Sequence, residues 1–201
     1  MNKIKGFKIR LRKREILKNL KYSTEISYMS AETEQLIQKQ LENAYSLIHP
    51  CVIYETYNNN DVYGFRAIKE ELLFGSSQVK VIIKDAYAIT IMAATIGSAL
   101  EEKVNDLKCN DLNAAFILDA AGSEAAEQVI NFVSKILQAE SARQECVLST
   151  RYSPGYGDWP LEASRKIISM LDHEKIDMKL SDSGILYPRK SITAIQTWRP
   201  Q

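Results

Sequence analysis

The sequence holds few of the residue types from which metal sites and histidine-based active sites are built. Its three cysteines, Cys51, Cys109 and Cys146, are odd in number and far apart, so they form neither a disulfide framework nor a CxxC metal motif. The two histidines, His49 and His173, have no ligand-like spacing. The sequence therefore argues against a structural zinc site and against a histidine-based catalytic triad.

Long apolar runs and a large net charge are also missing. The longest apolar stretch, residues 86–94, is interrupted by Tyr87 and Thr90 and is too short to span a bilayer. The basic residues near the N-terminus precede no apolar core of a secretory signal, and we interpret them as the solvated face of a strand and helix. The net charge of +1 gives no general reason to expect nucleic acid. We therefore expect a cytoplasmic protein that binds neither nucleic acid nor membrane.

The composition is that of a globular protein that can bury its own core. The chain has 201 residues, of which 45% are hydrophobic and 25% charged. It contains no linker rich in Pro, Gly or Ser and no internal repeat. We predict one domain over residues 1–201, with a possible division into an N-terminal lobe, residues 1–108, and a ligand-binding half, residues 109–201.

Helices and strands are predicted along the chain without regular alternation. Helical periodicity indicates helices over residues 12–20 and 31–49, with Ser30 as the cap of the second, and a short helical piece over residues 70–74. We predict strands at residues 4–11, 51–57, 62–65, 79–83 and 87–94. A capping box of Ser98 and Glu101 predicts a helix to about residue 107.

The second half is dominated by one long helix. Asp111 is its predicted cap, the helix extends to about residue 142, and small residues at 120–123 would let another element approach closely. Short strands follow at residues 146–150 and 185–187, a helix starts at Pro160, and residues 191–198 form a last strand. These elements predict an α+β fold with a mixed, largely antiparallel twisted sheet and long helices packed on it.

The most distinctive motif is Arg151-Tyr152-Ser153-Pro154-Gly155-Tyr156. A rigid proline precedes a glycine that can take positive φ and lets a ligand approach the backbone. Arg151 offers a planar fork for a carboxylate, and Tyr156 lies at the tip of the turn. From spacing alone, a surface turn with one ion-paired arginine remains an equally open interpretation.

The motif and its surroundings resemble the activation domain of cobalamin-dependent methionine synthase. Residues 150–160, TRYSPGYGDWP, are similar to that family's R-P-A-P-G-Y-P-A-C-P element. Residues 180–191 resemble its later L-x-x-S-x-x-M-x-P-x-x-S pattern. A helix that carries Asp119 and Glu127 resembles the acidic, alanine-rich helix that precedes the turn in the family. The likeness extends over residues 119–191 and is faint before them.

The resemblance implies a site for S-adenosylmethionine (SAM). It implies that Arg151 binds the ligand's carboxylate and that the backbone of Ser153 helps to hold the ligand. Pro154 and Gly155 would form the turn that the ligand approaches. Tyr156 would face the cobalamin and is the residue expected at the reaction itself.

The family's acidic helix supplies a carboxylate to the ligand, and here the matching position is Ser123. Glu127 lies one helical turn further on, and we expect it to take over this role. The family's further C-terminal tyrosine has no counterpart after Ser191. An Asp-x-His-x-x-Gly motif for cobalamin is absent from the sequence. The resemblance thus implies a free-standing version of the activation domain, with cobalamin carried by a separate partner.

The implied function is the reductive reactivation of a separate cobalamin-dependent methionine synthase. The chain would present SAM to the partner's cobalamin while a flavodoxin-like protein supplies an electron, as a reactivation module rather than a stand-alone catalyst. A second hypothesis is a non-catalytic docking subunit of a corrinoid methyltransferase that does not bind SAM. A third, a methyltransferase for a small molecule, lacks the usual glycine-rich turn, of which residues 94–97 are a weak imitation.

Overall fold

A computed structural model describes residues 1–22, 29–72 and 75–201. Its main sheet has five strands in the order β1-β2-β3-β7-β4, and every pairing in it is antiparallel. A small second sheet pairs β5 with β6. The strands are β1 (Asn2–Lys5), β2 (Cys51–Asn58), β3 (Ala88–Thr95), β4 (Cys146–Leu148), β5 (Lys179–Leu180), β6 (Leu186–Tyr187) and β7 (Ser191–Pro200).

Helices cover both faces of the main sheet. They are α1 (Lys13–Asn19), α2 (Ala31–Leu47), α3 (Val62–Leu72), α4 (Ser77–Lys84), α5 (Ala99–Lys108), α6 (Leu112–Arg143) and α7 (Ser164–Ser169). The architecture is α+β with an antiparallel sheet, which confirms the predicted fold class. No helix within the described residues is long and apolar enough to cross a membrane.

The central strand β3 is buried along its whole length because apolar cores lie on both faces of the sheet. Side chains alternate between the two faces. Met92 and Ala194 face one core, which α1, α2, α5 and α6 complete. Ile91 and Ile195 face the other, which α3, α4 and α7 complete.

Helix α6 is the longest element and forms as predicted. Asp111 caps it, because its Oδ1 accepts the backbone N–H of Ala114 at 3.0 Å. The small residues at 120–123 suggested the close approach of another backbone or tight packing on the sheet, but at Gly122 the close neighbour is a side chain of a helix: a Cβ there would lie 2.6 Å from Leu100 Cδ2 on α5. The neighbour at this point is thus another helix, together with the aliphatic stem of Lys190, which lies 3.4 Å from the same Cβ position.

Two predicted strands are helices in the structure. Residues 62–65 begin α3, in which Phe65, Ile68 and Leu72 are buried at helical spacing. Residues 79–83 belong to α4, where the Ser76 side chain accepts the N–H of Val79 at 3.0 Å. Short β-branched runs do not distinguish a strand from a capped amphipathic helix, so the prediction was wrong at both places. Of the short helix expected at residues 70–74, the last two residues lie outside the described part.

Two smaller expectations also differ. The first strand covers only Asn2–Lys5 rather than residues 4–11. Ser98 makes no capping hydrogen bond through its side chain. Glu101 instead accepts the backbone N–H of Arg189 at 2.8 Å. Its carboxylate therefore binds the segment just before β7 and does not cap its own helix.

Candidate functional site

The turn with the Arg151 motif is an extension of the sheet. Tyr152 exchanges both backbone hydrogen bonds with Ile195 of β7, at 3.0 and 2.8 Å. Because hydrogen-bonding directions alternate along an extended chain, the N–H of Ser153 points away from β7. That N–H has no partner among the described residues.

Three backbone hydrogen bonds close the turn. Gly155 N–H donates to the Trp159 carbonyl at 2.8 Å, Trp159 N–H to that of Tyr156 at 3.0 Å, and Tyr156 N–H to that of Ser153 at 3.2 Å. Gly155 has φ of +90°, which glycine adopts without strain. The spacing Pro154-Gly155 thus predicted the right local conformation, and the turn presents a fixed backbone.

Trp159 anchors the turn from beneath. Its side chain is 1% exposed and belongs to the core that includes α3, α4 and α7. Tyr152 stacks on it with ring centroids 5.6 Å apart and planes at 11°. Trp159 is therefore a packing residue of the core beneath the turn.

Asp158 ties the turn to α4. Its carboxylate accepts the hydroxyl protons of Ser76 and Ser77 at 2.5 and 2.6 Å, and the backbone N–H groups of Ser77 and Gln78 at 2.8 and 3.3 Å. Hydrogen bonds first from Ser76 and then from Ser77 lower the pKa of Asp158 from 3.8 to about 2. These donors stabilise the ionised form, since the negative charge lies at a helix N-terminus.

We expect Asp158→Asn to destabilise the protein at neutral pH and to lose this effect in acid. The folded pKa is below the unfolded one, so the stability from Asp158 is present above pH 3.8 and disappears as the pH falls through about 2. Urea unfolding of both proteins between neutral pH and pH 2 measures it. Asp182→Asn, at an exposed aspartate, is the matched control. A difference between wild type and Asp158→Asn that did not change with pH would contradict the assignment.

The structure brings Arg151 and Glu127 together. Arg151 Nη2 donates to Glu127 Oε2 at 2.7 Å, and Nη1 donates to Asn131 Oδ1 at 3.2 Å. The side chains of Arg151 and Glu127 are 19% and 38% exposed. Asn131 lies one turn along α6 from Glu127, and sequence reasoning did not single it out, although the i, i+4 spacing was the available signal.

A neighbouring acidic residue on α6, Glu124, contacts a different segment. Glu124 is buried and accepts hydrogen bonds from Arg12 Nε at 2.7 Å and from Gln128 Nε2 at 2.7 Å. The sequence did not reveal this contact, because Arg12 lies more than a hundred positions away. Of these two glutamates on α6, Glu127 is therefore the one that contacts Arg151.

Ser123, the position that matches the family's carboxylate, contacts an internal cation. Lys190 Nζ donates to Ser123 Oγ at 2.8 Å and pairs with Asp119 Oδ1 at 2.8 Å. A lysine ammonium of this chain therefore already lies against Ser123. Lys190 falls inside the second shared motif but was not recognised from sequence.

The remaining predicted site residues differ in solvent exposure. Ser153 and Pro154 are buried. Tyr156 is 63% exposed and points into solvent. Three other large apolar side chains near it in the fold or in the second motif are also exposed; they are Leu161, Ile185 and Tyr187. We call Tyr156 and these three exposed side chains the apolar rim, as a name for the set.

Comparisons with known proteins identify the fold. No protein-family model matches the chain, and a search of curated proteins finds no match in sequence. Among solved structures, the chain is similar to the crystal structure of the MetH reactivation domain bound to AdoHcy, with a TM-score of 0.66 and 12% sequence identity. The match covers 100% of this chain and 78% of that chain. The protein therefore has the fold of the MetH reactivation domain.

Proposed function

We propose that this chain binds SAM at the Arg151 turn and acts in the reductive reactivation of a separate cobalamin-dependent methionine synthase. The observation that carries the proposal is the Arg151–Glu127 pair and, two residues after Arg151, Ser153, whose N–H has no partner in the described part of the chain. The similarity of the fold to a domain whose structure contains AdoHcy supports it. Both features lie on the segment that resembles the family in sequence.

The pair suits the amino acid end of SAM, which carries one carboxylate and one ammonium. Arg151 would bind the carboxylate through its planar fork, and Glu127 would accept the ammonium. Binding would replace one partly exposed ion pair by two, so no charge is left unpaired. The Lys190 ammonium repels a second ammonium at Ser123, which leaves Glu127 as the acceptor.

The chemistry of the reaction belongs to the partner and the ligand. The partner's cobalamin would supply the cobalt that takes one electron from a flavodoxin-like reductant and accepts the methyl group of SAM, which leaves as S-adenosylhomocysteine. This chain would hold SAM in a fixed orientation on the rigid turn. Tyr156 would fill the space between the ligand and the partner.

We expect Tyr156→Ala to separate ligand binding from docking. Because Tyr156 is 63% exposed at the apolar rim, its removal should weaken docking of the partner's cobalamin-binding module by about tenfold, the usual effect of a tyrosine hot spot. SAM affinity should change by less than about threefold. Tyr63→Ala on α3, where Tyr63 is 89% exposed, is the control. Equal docking by wild type and Tyr156→Ala, measured by titration calorimetry, would remove Tyr156 from the proposed interface.

One observation favours the docking-subunit hypothesis instead. Glu127 already pairs with Arg151, and Lys190 lies against Ser123. The charge of Arg151 is therefore balanced without a ligand. Under this hypothesis the apolar rim would bind the corrinoid partner whether or not SAM is present. Capture of the partner's cobalamin-binding module with and without SAM discriminates the two: only the reactivation hypothesis expects SAM to increase it.

A further inference from the structure

Three polar residues of α6 lie on the same side of the helix because each is four positions from the next; they are Asp119, Ser123 and Glu127. Glu127 pairs with Arg151 of the turn at 2.7 Å. Asp119 and Ser123 both contact Lys190, from the segment just before β7, at 2.8 Å each. The Lys190 ammonium therefore lies against a residue one helical turn from Glu127, the proposed acceptor of the ligand's ammonium.

The position of the Lys190 charge is fixed by packing as well as by hydrogen bonds. A Cβ at Gly122 would lie 3.4 Å from both Cγ and Cε of Lys190, so the aliphatic stem runs closely along the helix at this glycine. Ser123 donates its hydroxyl proton to the Asp119 carbonyl at 3.2 Å, which leaves a lone pair of Oγ for the ammonium. The Lys190 side chain is only 17% exposed, so water and salt screen its charge less than that of a surface lysine.

This charge acts on the one group that distinguishes SAM from its product, the positive sulfonium. AdoHcy has a neutral thioether in its place. In SAM three carbons join the sulfonium to the ammonium, so the two lie no more than about 5 Å apart. With the ammonium at Glu127, the sulfonium lies within the field of Lys190, which reaches over a Debye length of about 8 Å. Asp119 is 51% exposed and so offsets the more buried Lys190 only in part.

We propose that Lys190 is a specificity-determining residue that disfavours SAM relative to AdoHcy, so that the chain holds the product of methyl transfer more tightly than the methyl donor. The inference rests on the proposed function, since it concerns the same site. Its consequence is regulation by product: AdoHcy competes with SAM and slows reactivation whenever it accumulates. Both ligands share the carboxylate and the ammonium, so Arg151 and Glu127 hold them alike and Lys190 alone separates them.

Titration calorimetry with SAM and with AdoHcy tests the assignment. We expect the wild type to bind AdoHcy about fivefold more tightly than SAM. Lys190→Met keeps an unbranched stem beside Gly122 but removes the charge, so it should bind the two ligands about equally, mainly through a gain in SAM affinity. Lys103→Gln, which removes an exposed lysine from α5, is the control and should keep the fivefold preference.

Asp119→Asn tests the same charge with the opposite sign. It leaves the Lys190 ammonium without its carboxylate, so the preference for AdoHcy should rise to about twentyfold. A general loosening of the site would weaken both ligands alike and would not move the ratio in opposite directions in the two variants. An unchanged ratio in Lys190→Met and Asp119→Asn, or tighter binding of SAM than of AdoHcy by the wild type, would overturn the inference and leave the proposed function standing. Failure of the wild type to bind either ligand would overturn both.

Discussion

Arg151→Ala is expected to weaken binding of SAM by about 100-fold, or roughly 2–3 kcal/mol. The proposed function assigns the ligand's carboxylate to this guanidinium, which Glu127 and Asn131 hold in position. Its removal also leaves Glu127 beside the carboxylate without a compensating charge. Titration calorimetry with SAM on both proteins measures the loss.

The controls for Arg151→Ala separate charge from geometry. Arg151→Lys keeps the charge but lacks the planar fork, so it should bind SAM with intermediate affinity. Arg143→Ala removes an exposed arginine at the end of the same helix that carries Glu127 and should bind like wild type. If Arg151→Ala bound SAM as tightly as wild type, the carboxylate would have to lie elsewhere.

Trp159→Ala should cost about 3–5 kcal/mol in the free energy of unfolding, the usual range for removing a buried tryptophan. Trp159 fills the core beneath the turn and carries the stacked Tyr152 ring. Its backbone also closes the turn through Gly155 and Tyr156. The variant should therefore lose SAM affinity even at temperatures where it remains folded, because the cavity loosens the turn.

Denaturant unfolding and SAM titration of the same samples measure both effects of Trp159→Ala. Trp159→Phe keeps a ring for Tyr152 and removes an indole N–H that has no partner within residues 1–22, 29–72 and 75–201, so it should cost clearly less. Tyr63→Ala, at a residue almost wholly in solvent, should change stability by no more than about 0.5 kcal/mol. A loss for Trp159→Ala as small as that of Tyr63→Ala would show that Trp159 does not anchor the turn.

The turn could be read from sequence because its conformation is local. A proline followed by a glycine restricts the backbone over a few residues, and the structure has Gly155 at positive φ as that chemistry requires. Glu127 could also be anticipated, since one helix fixes its spacing from Ser123. The long capped helices were predictable for the same local reason.

The interactions between distant segments could not be read from sequence. Asp158 meets Ser76 and Ser77, about eighty residues earlier, and Lys190 meets Asp119 and Ser123, about seventy earlier. Nothing in the local pattern names such partners. The strands wrongly predicted at residues 62–65 and 79–83 have a different explanation. In both, burial at helical spacing overrode a short apolar pattern, and at residues 79–83 a Ser76 cap also overrode a β-branched composition.

The most direct test of the proposed function is a crystal structure of the chain grown with SAM. We expect the ligand's carboxylate within hydrogen-bonding distance of the Arg151 guanidinium, its ammonium at Glu127, and the Arg151–Glu127 contact opened to admit both. Crystals in which the Arg151–Glu127 pair stays closed and SAM is absent, with no binding of SAM in calorimetry even when the partner's cobalamin-binding module is present, would contradict the proposal.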